Sequence, residues 1–380
     1  MASTDGIIGK INPIKLKINK RMMRIQSKTV VVIVTLLINQ VFRKKLVKMV
    51  FTFENIPFSV LDLSPIVEGQ TAKEAFQNTK ELAQHAEKLG YKRFWLAEHH
   101  NMPGIASSAT SLLISHVAQA TSTIRVGAGG VMLPNHSPLV IAEQFGTLET
   151  LYPGRIDLGL GRAPGTDQLT AFALRRNNMS DGSDFPEMLA ALSGYFEPYD
   201  GTQRVRAIPG EGLHHIPIWL LGSSGFSARL AGRLGLPFAF ASHFAPENTM
   251  PALEIYRSSF QPSDVLDKPY VMLGINVIAA DSDKEAERLA TSMQLQFLHL
   301  IRNKPSKLQP PVDSLEGLAS DYEKAAIENR LKTSIIGGPE TVKEKLKAFI
   351  ERTKADELII NTQIYDHKAR LRSYEIIANL

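Results

Sequence analysis

The 380-residue sequence predicts an α/β protein, a closed (β/α)8 TIM barrel with insertions after strands 4 and 7 and before strand 5. Three observations predict it. From Phe58 onward, short apolar runs and amphipathic stretches alternate through eight strands, and strict alternation implies parallel strands joined by right-handed crossovers. Several runs end in glycines, hydroxyls or ionisable groups, as strand ends do where one face of a barrel carries chemistry. The composition, 44% apolar and 21% charged, suits a protein with a large core.

The elements follow in order. Phe58–Leu63 reads as the first strand, closed by Ser64-Pro65. A helix follows, with Ala72, Ala75, Phe76, Thr79, Leu82, Ala83 and Ala86 at three- and four-residue spacing. Thr71 and Glu74 form a capping box at its start, and Gly90 stops it. The next strands are Arg93–Ala97, Ile124–Leu133 and Arg155–Gly161, with helices near Ser107–Gln119 and Pro138–Leu148 between them. Ile218–Leu221, Pro237–Ala241 and Val271–Ala279 continue the pattern, with helices near Ser224–Leu234, Pro246–Phe260 and Lys284–Leu300. A helix near Glu340–Thr353, the strand Glu357–Asn361 and a helix near Lys368–Ala378 complete it. Arg162–Pro186, Glu197–Pro217 and Arg302–Thr333 exceed ordinary loop length, and long insertions of this kind form lids or substrate walls.

Residues 1–50 read as a separate basic extension, and 51–380 as the barrel domain. The extension holds eleven Lys and Arg against Asp5 alone, leaving 32 basic and 37 acidic residues in the remainder. The body is therefore mildly acidic and no nucleic-acid role is expected. The β-branched run Val30–Ile38 is too short to span a bilayer, so no stable membrane insertion is expected. Three readings of the extension stand: an upstream stretch before a true start at Met49, an organelle or export leader, or a basic membrane-surface segment. The first is favoured. The chain has no cysteine, which excludes disulfides and thiolate chemistry and fits a reducing, cytoplasmic setting.

The second strand carries the densest signal. Tyr91, Phe94, Trp95 and Leu96 favour burial, and Glu98, His99 and His100 follow before Pro103-Gly104 breaks the chain. By alternation Glu98 and His100 face one way and His99 the other. The bland alternative is a hydrogen-bonded core histidine beside a solvated rim. Gly127, Gly129 and Gly130 end the third strand, which suits close approach of a flat ligand, or a bulge. The fourth ends Gly159-Leu160-Gly161-Arg162-Ala163-Pro164-Gly165, with proline where a dinucleotide fingerprint needs glycine. What survives is one guanidinium at a bare strand end, fitted to a phosphate or to a rim salt bridge.

The fifth strand ends Gly222-Ser223-Ser224-Gly225-Phe226-Ser227 where a helix starts. Gly222 permits close backbone approach, the serines offer hydroxyls, and the helix N-terminus offers free N–H groups, so this is a phosphate cradle or simply a capped helix. Phe226 stands where a nucleophile elbow needs glycine, so a hydrolase is not supported. With no His-Glu-x-x-His pattern, no protein-built metal site is expected. Taken together, these strand ends call for an anionic, planar cofactor.

The same residues resemble the luciferase-like flavin-dependent monooxygenases, relatives of the bacterial luciferase α subunit, and look like the single-chain subgroup. The likeness lies in Trp95–His100, in Val126-Gly127 through Leu133-Pro134, in Gly154–Gly159 leading to Arg162, and in Gly235-Leu236-Pro237. It implies a barrel that binds reduced FMN and uses O2 to oxygenate a small organic substrate. His99 matches the family's catalytic histidine, flanked by Glu98 and His100. Gly129-Gly130 matches a non-proline cis peptide against the isoalloxazine. Arg162, Ser223, Ser224 and Ser227 match phosphate ligands. A separate flavin reductase is the implied supplier of reduced FMN, since no nicotinamide fingerprint is visible, and a homodimer is allowed. Gly161 stands where luciferase has a reactive cysteine, so light emission is not carried over. Two alternatives stay open: a deazaflavin-dependent dehydrogenase on the same barrel, and a flavin-binding protein without turnover.

Overall fold

Each apolar run becomes a strand because a helix covers its outer face. The computed structural model describes residues 56–163, 166–175 and 182–380; the extension over 1–50 lies outside the described residues, as do Pro164 and Gly165. In chain order the elements begin β1 (Phe58–Asp62), α1 (Ala72–Lys88), β2 (Arg93–Leu96), α2 (Thr110–Ala120), β3 (Arg125–Ala128), β4 (Val131–Met132), α3 (Pro138–Leu151) and β5 (Ile156–Gly161). They continue α4 (Gln168–Arg175), α5 (Phe185–Phe196), β6 (Ile218–Gly222), α6 (Gly225–Leu234), β7 (Phe238–Phe240), α7 (Thr249–Ser259) and β8 (Val271–Ala279). The last are α8 (Asp283–Ile301), α9 (Asp321–Leu331), β9 (Ile335–Gly337), α10 (Pro339–Thr353), β10 (Glu357–Asn361) and α11 (His367–Ala378).

Eight parallel strands close the barrel in the order β10-β1-β2-β3-β5-β6-β7-β8, with β8 returning to β10. This is the expected (β/α)8 fold. The capping box of Thr71 and Glu74 is present at the start of α1. Among the described residues no helix is long and apolar enough to cross a membrane. The third strand departs from expectation. Instead of one run over Ile124–Leu133, β3 stops at Ala128, the Gly129–Gly130 peptide is cis, and the chain resumes as β4 against the end of β5. Alternation alone cannot see this break, because glycine is neutral in the pattern. The insertions also contain helices, α4 after the fourth strand and α9 after the seventh, the latter behind a second capping box at Ser320 and Glu323.

Strand alternation sorts the side chains into two populations. Val60, Phe94, Leu96, Val126, Leu158, Leu160 and Leu358 face outward and share one core with Leu82 of α1, Val117 of α2 and Phe145 of α3. Leu61, Trp95, Trp219, Met272 and Ile359 form a separate core inside the barrel. Trp95 and Trp219 meet edge to face with ring centroids 5.3 Å apart, and Trp219 repeats this with Tyr270 at 5.6 Å.

Beneath the tryptophans lies a buried ionic plug. Arg93 donates to Asp157 at 2.6 Å and to Glu357 at 3.0 Å. Asp157 also accepts from Trp95 Nε1 at 3.1 Å and from Arg125 Nε at 2.9 Å. Glu357 also accepts from Ser59 at 2.5 Å, Tyr270 at 2.8 Å and Lys92 at 3.1 Å. Every carboxylate oxygen is thus engaged, which is what a charge in a dry interior requires. Arg93 shows the balance: burial works against its charge, but Asp157 and Glu357 outweigh burial and raise its pKa. Replacing Glu357 with Ala leaves Arg93 with Asp157 alone and takes the acceptor from Ser59 and Tyr270, and should destabilise the fold by about 3 kcal/mol. Urea unfolding checks this, and a loss below about 1 kcal/mol would show that the plug is solvated.

Candidate active site

Two residues above the tryptophan layer the inward positions become small. Ala97, Gly129, Gly161, Ala241 and Gly274 ring the C-terminal mouth of the barrel, and above the tryptophans they leave a cavity of about 370 Å³. A side chain at Gly129 would crowd the floor, since a Cβ would sit 2.9 Å from Leu61 Cδ1 and 3.1 Å from Trp95 Cβ. At Gly274 a Cβ would collide with the His243 ring. The insertion after the seventh barrel strand supplies part of the wall, as expected, through Pro305 and Ser306. It is stitched across the mouth by main-chain bonds from Leu308 to Ile66 at 3.0 Å and from Glu68 to Leu308 at 2.8 Å.

The Glu98-His99-His100 cluster divides as alternation predicts, though β2 has already ended at Leu96. His99 lines the cavity. Glu98 and His100 do not, and Glu98 is 1% exposed. Its Oε1 lies 2.9 Å from Nε2 of both His100 and His136, and 3.1 Å from Asn135 Nδ2, while Oε2 accepts from the Met132 amide at 3.0 Å. Burial opposes ionisation of Glu98, but the bonds from His100 and His136, the charge on His136 and the Met132 amide prevail and hold its pKa at about 2. An ionised carboxylate only accepts, so both imidazoles present N–H to it. Glu98 thus ties the end of β2 to the turn after β4 and sets the backbone that carries His99. Both Glu98 oxygens are thus occupied by His100, Asn135, His136 and the Met132 amide, and of the three predicted catalytic residues only His99 lines the cavity.

Of the glycine pair, Gly129 reaches the cavity; Gly130 packs instead on the Gly159 carbonyl and Leu221. Gly161, Arg162, Gly222, Ser223, Ser224 and Ser227 all line it. Ser224 is the N-cap residue of α6, in extended conformation, and its hydroxyl makes no capping bond. Arg162 stacks on the Phe226 ring, with Cζ 4.4 Å from the centroid. No carboxylate pairs with Arg162 among the described residues. The rim salt bridge that competed with a phosphate role is therefore missing from them.

Sequence reading passed over His243, Gln296, Phe297, Asn361 and Gln363, which also line the cavity. Burial presses the His243 pKa down to about 4 against the pull of the Gly274 carbonyl, and the charge of His99 adds to the depression. Gln363 Oε1 is buried without a hydrogen-bond partner among the described residues, an acceptor open to a ligand. Asn361 and Gln363 carried a readable signal, polar side chains at and just past the end of an apolar strand, which had drawn attention to Glu98 and His99. Gln296 and Phe297 sit inside an amphipathic helix and give none.

Comparison with known proteins settles the family. The luciferase-like monooxygenase model matches residues 56–357. The chain belongs to the luciferase-like monooxygenase family. A luciferase-like monooxygenase of Escherichia coli (strain K12) is 55% identical over 325 residues, 86% of this chain and 97% of that one. The N-acetyl-S-alkylcysteine monooxygenase of Bacillus subtilis (strain 168) is 34% identical over 333 residues, 85% and 98% of the two chains. Among solved structures, apo-MsnO8 superposes with a TM-score of 0.75 at 35% identity, covering 85% of this chain and 98% of its own.

The Glu98 clamp makes a pH prediction for this luciferase-like barrel. Its folded pKa lies below the ordinary 4.5, so its stabilisation is complete above that value and is lost as pH falls toward 2. Glu98→Gln should cost about 3 kcal/mol at pH 7 and progressively less below pH 4.5. Urea unfolding of both proteins across that range checks it; curves that stay parallel would contradict the assignment.

Proposed function

We propose that this chain is an FMN-dependent monooxygenase that uses reduced FMN and O2 to oxygenate a small organic substrate, with a separate reductase supplying the reduced flavin. The observation that carries this reading is Arg162, a cation at the cavity wall without a carboxylate partner among the described residues, beside the open N-terminus of α6 and three serines. A guanidinium left without a counter-ion at a helix N-terminus suits a phosphate monoester. Beyond it, a floor of Leu61, Trp95 and Gly129 gives a flat ring system an apolar seat, and Gln363 Oε1 offers an acceptor. The residues present therefore fit FMN.

When bound, reduced FMN supplies the electrons that activate O2. The protein's part is to bind, orient and keep out water. Arg162, the α6 amides and Ser223, Ser224 and Ser227 hold the phosphate. His99 lines the cavity on a backbone fixed by the Glu98 clamp, where its imidazole can give or take a proton at the reacting centre. The stretch pinned by Leu308 to Ile66 and Glu68 shields the mouth. Membership of a family whose Bacillus subtilis relative is named for monooxygenation supports turnover over mere flavin storage.

Two measurements test the proposal. Arg162→Ala should weaken FMN by about 10- to 100-fold and leave riboflavin nearly unchanged in a fluorescence titration; equal loss for both would reject the phosphate role. His99→Ala should keep FMN affinity and lower oxygen-dependent product formation about 100-fold, read by oxygen uptake with enzymatically reduced FMN and a panel of aldehydes, ketones and thioethers. Wild-type protein that shows no oxygen uptake with any of them, yet oxidises an alcohol with a deazaflavin, would favour the dehydrogenase reading.

A further inference from the structure

Phe226 is the second residue of α6, yet it is not among that helix's buried residues. The buried residues of α6 are Ser227, Ala228, Ala231 and Gly232, whereas Phe226 stays 39% exposed. An aromatic ring at the first turn of a helix, outside its apolar face, calls for a reason. Its contact is Arg162, whose guanidinium carbon lies 4.4 Å from the ring centroid. On the aliphatic part of the same side chain, the backbone at Gly182 presses close, so that a Cβ there would sit 2.9 Å from Arg162 Cγ.

We infer that Phe226 is a positioning residue, whose ring fixes the Arg162 guanidinium in the orientation that receives the cofactor phosphate. A ring stacked on a guanidinium covers one face and consumes none of the in-plane N–H groups. A salt bridge would hold the side chain equally well but would neutralise the charge and occupy those groups. Stacking therefore pre-orders a long, rotamer-rich side chain and keeps its charge available. The placement also couples the two halves of the anion site. Arg162 follows β5, whereas Phe226 lies between Ser224 and Ser227 on α6, so the contact keeps cation, hydroxyls and helix N-terminus in register.

The inference rests on the phosphate reading of Arg162, and the experiment separates the two. Phe226→Ala, Phe226→Leu, Phe226→Trp and Arg162→Ala are titrated with FMN and with riboflavin, following flavin fluorescence. Leucine keeps much of the apolar bulk without the ring's negative face, and tryptophan strengthens that face. The Ala and Leu variants should weaken FMN about three- to tenfold with riboflavin unchanged, and Trp should restore wild-type affinity. If Phe226→Leu binds FMN like the wild type, or Phe226→Ala weakens both flavins equally while Arg162→Ala still separates them, the positioning role falls and the phosphate site stands. If Arg162→Ala fails to separate the two flavins, the phosphate reading falls and this inference with it.

Discussion

The barrel's interior depends on the ion cluster of Arg93, Asp157 and Glu357 at its base. Three parallel strands, β2, β5 and β10, are tied by it across the barrel interior, so the strands cannot slide without separating buried charges. Register then propagates upward by twos. Above the charges stand Leu61, Trp95 and Ile359, and above those Leu63, Ala97, Gly129, Gly161 and Asn361. A one-residue slip in any strand would turn these positions outward toward the helices. The cavity exists because Ala97, Gly129 and Gly161 in the third layer are too small to fill it, and its floor is Leu61, Trp95 and Ile359 of the second layer.

At the opposite end, Glu98 repeats the same device on a smaller scale. A buried carboxylate gathers donors from His100, Asn135, His136 and the Met132 amide, and so joins two segments that the interrupted third strand would leave independent. The base cluster and the upper clamp differ in company. Arginines dominate below, where charge is permanent; imidazoles and an amide dominate above, beside the residue that faces the cavity. The consequence for function is positional. His99 lines the cavity on a backbone that the bonds of Glu98 hold in place.

Much of this was legible in the residues. Eight strands, the Thr71–Glu74 cap, His99 at the cavity and the Arg162, Ser223, Ser224 and Ser227 group could all be read from alternation, capping rules and strand-end chemistry. Three kinds of feature could not. Asp157 and Glu357 look like ordinary strand residues, because their shared partner Arg93 lies 64 and 264 residues away. The donors around Glu98 were equally hidden, because composition cannot tell a carboxylate aimed at a ligand from one enclosed by donors. His243 reaches the cavity only through the closure of the barrel. Gly274 opens the space for it, and nothing local to His243 announces this.

The distribution of charge in the cavity limits what can bind there and in which direction. Arg162 is a cation at one wall, while Asn361 and Gln363 on the β10 side contribute neutral amides and His243 is held uncharged by burial at neutral pH. An anionic group therefore has one favourable end, and an uncharged ring system attached to it must extend over the tryptophan floor toward the amides and His99. Without Arg162 only the N-terminus of α6 and its serines would favour an anion at that end, and the preference for one orientation would weaken. Orientation is thus an electrostatic property of one strand end, imposed on a cavity whose shape comes from the register set at the other.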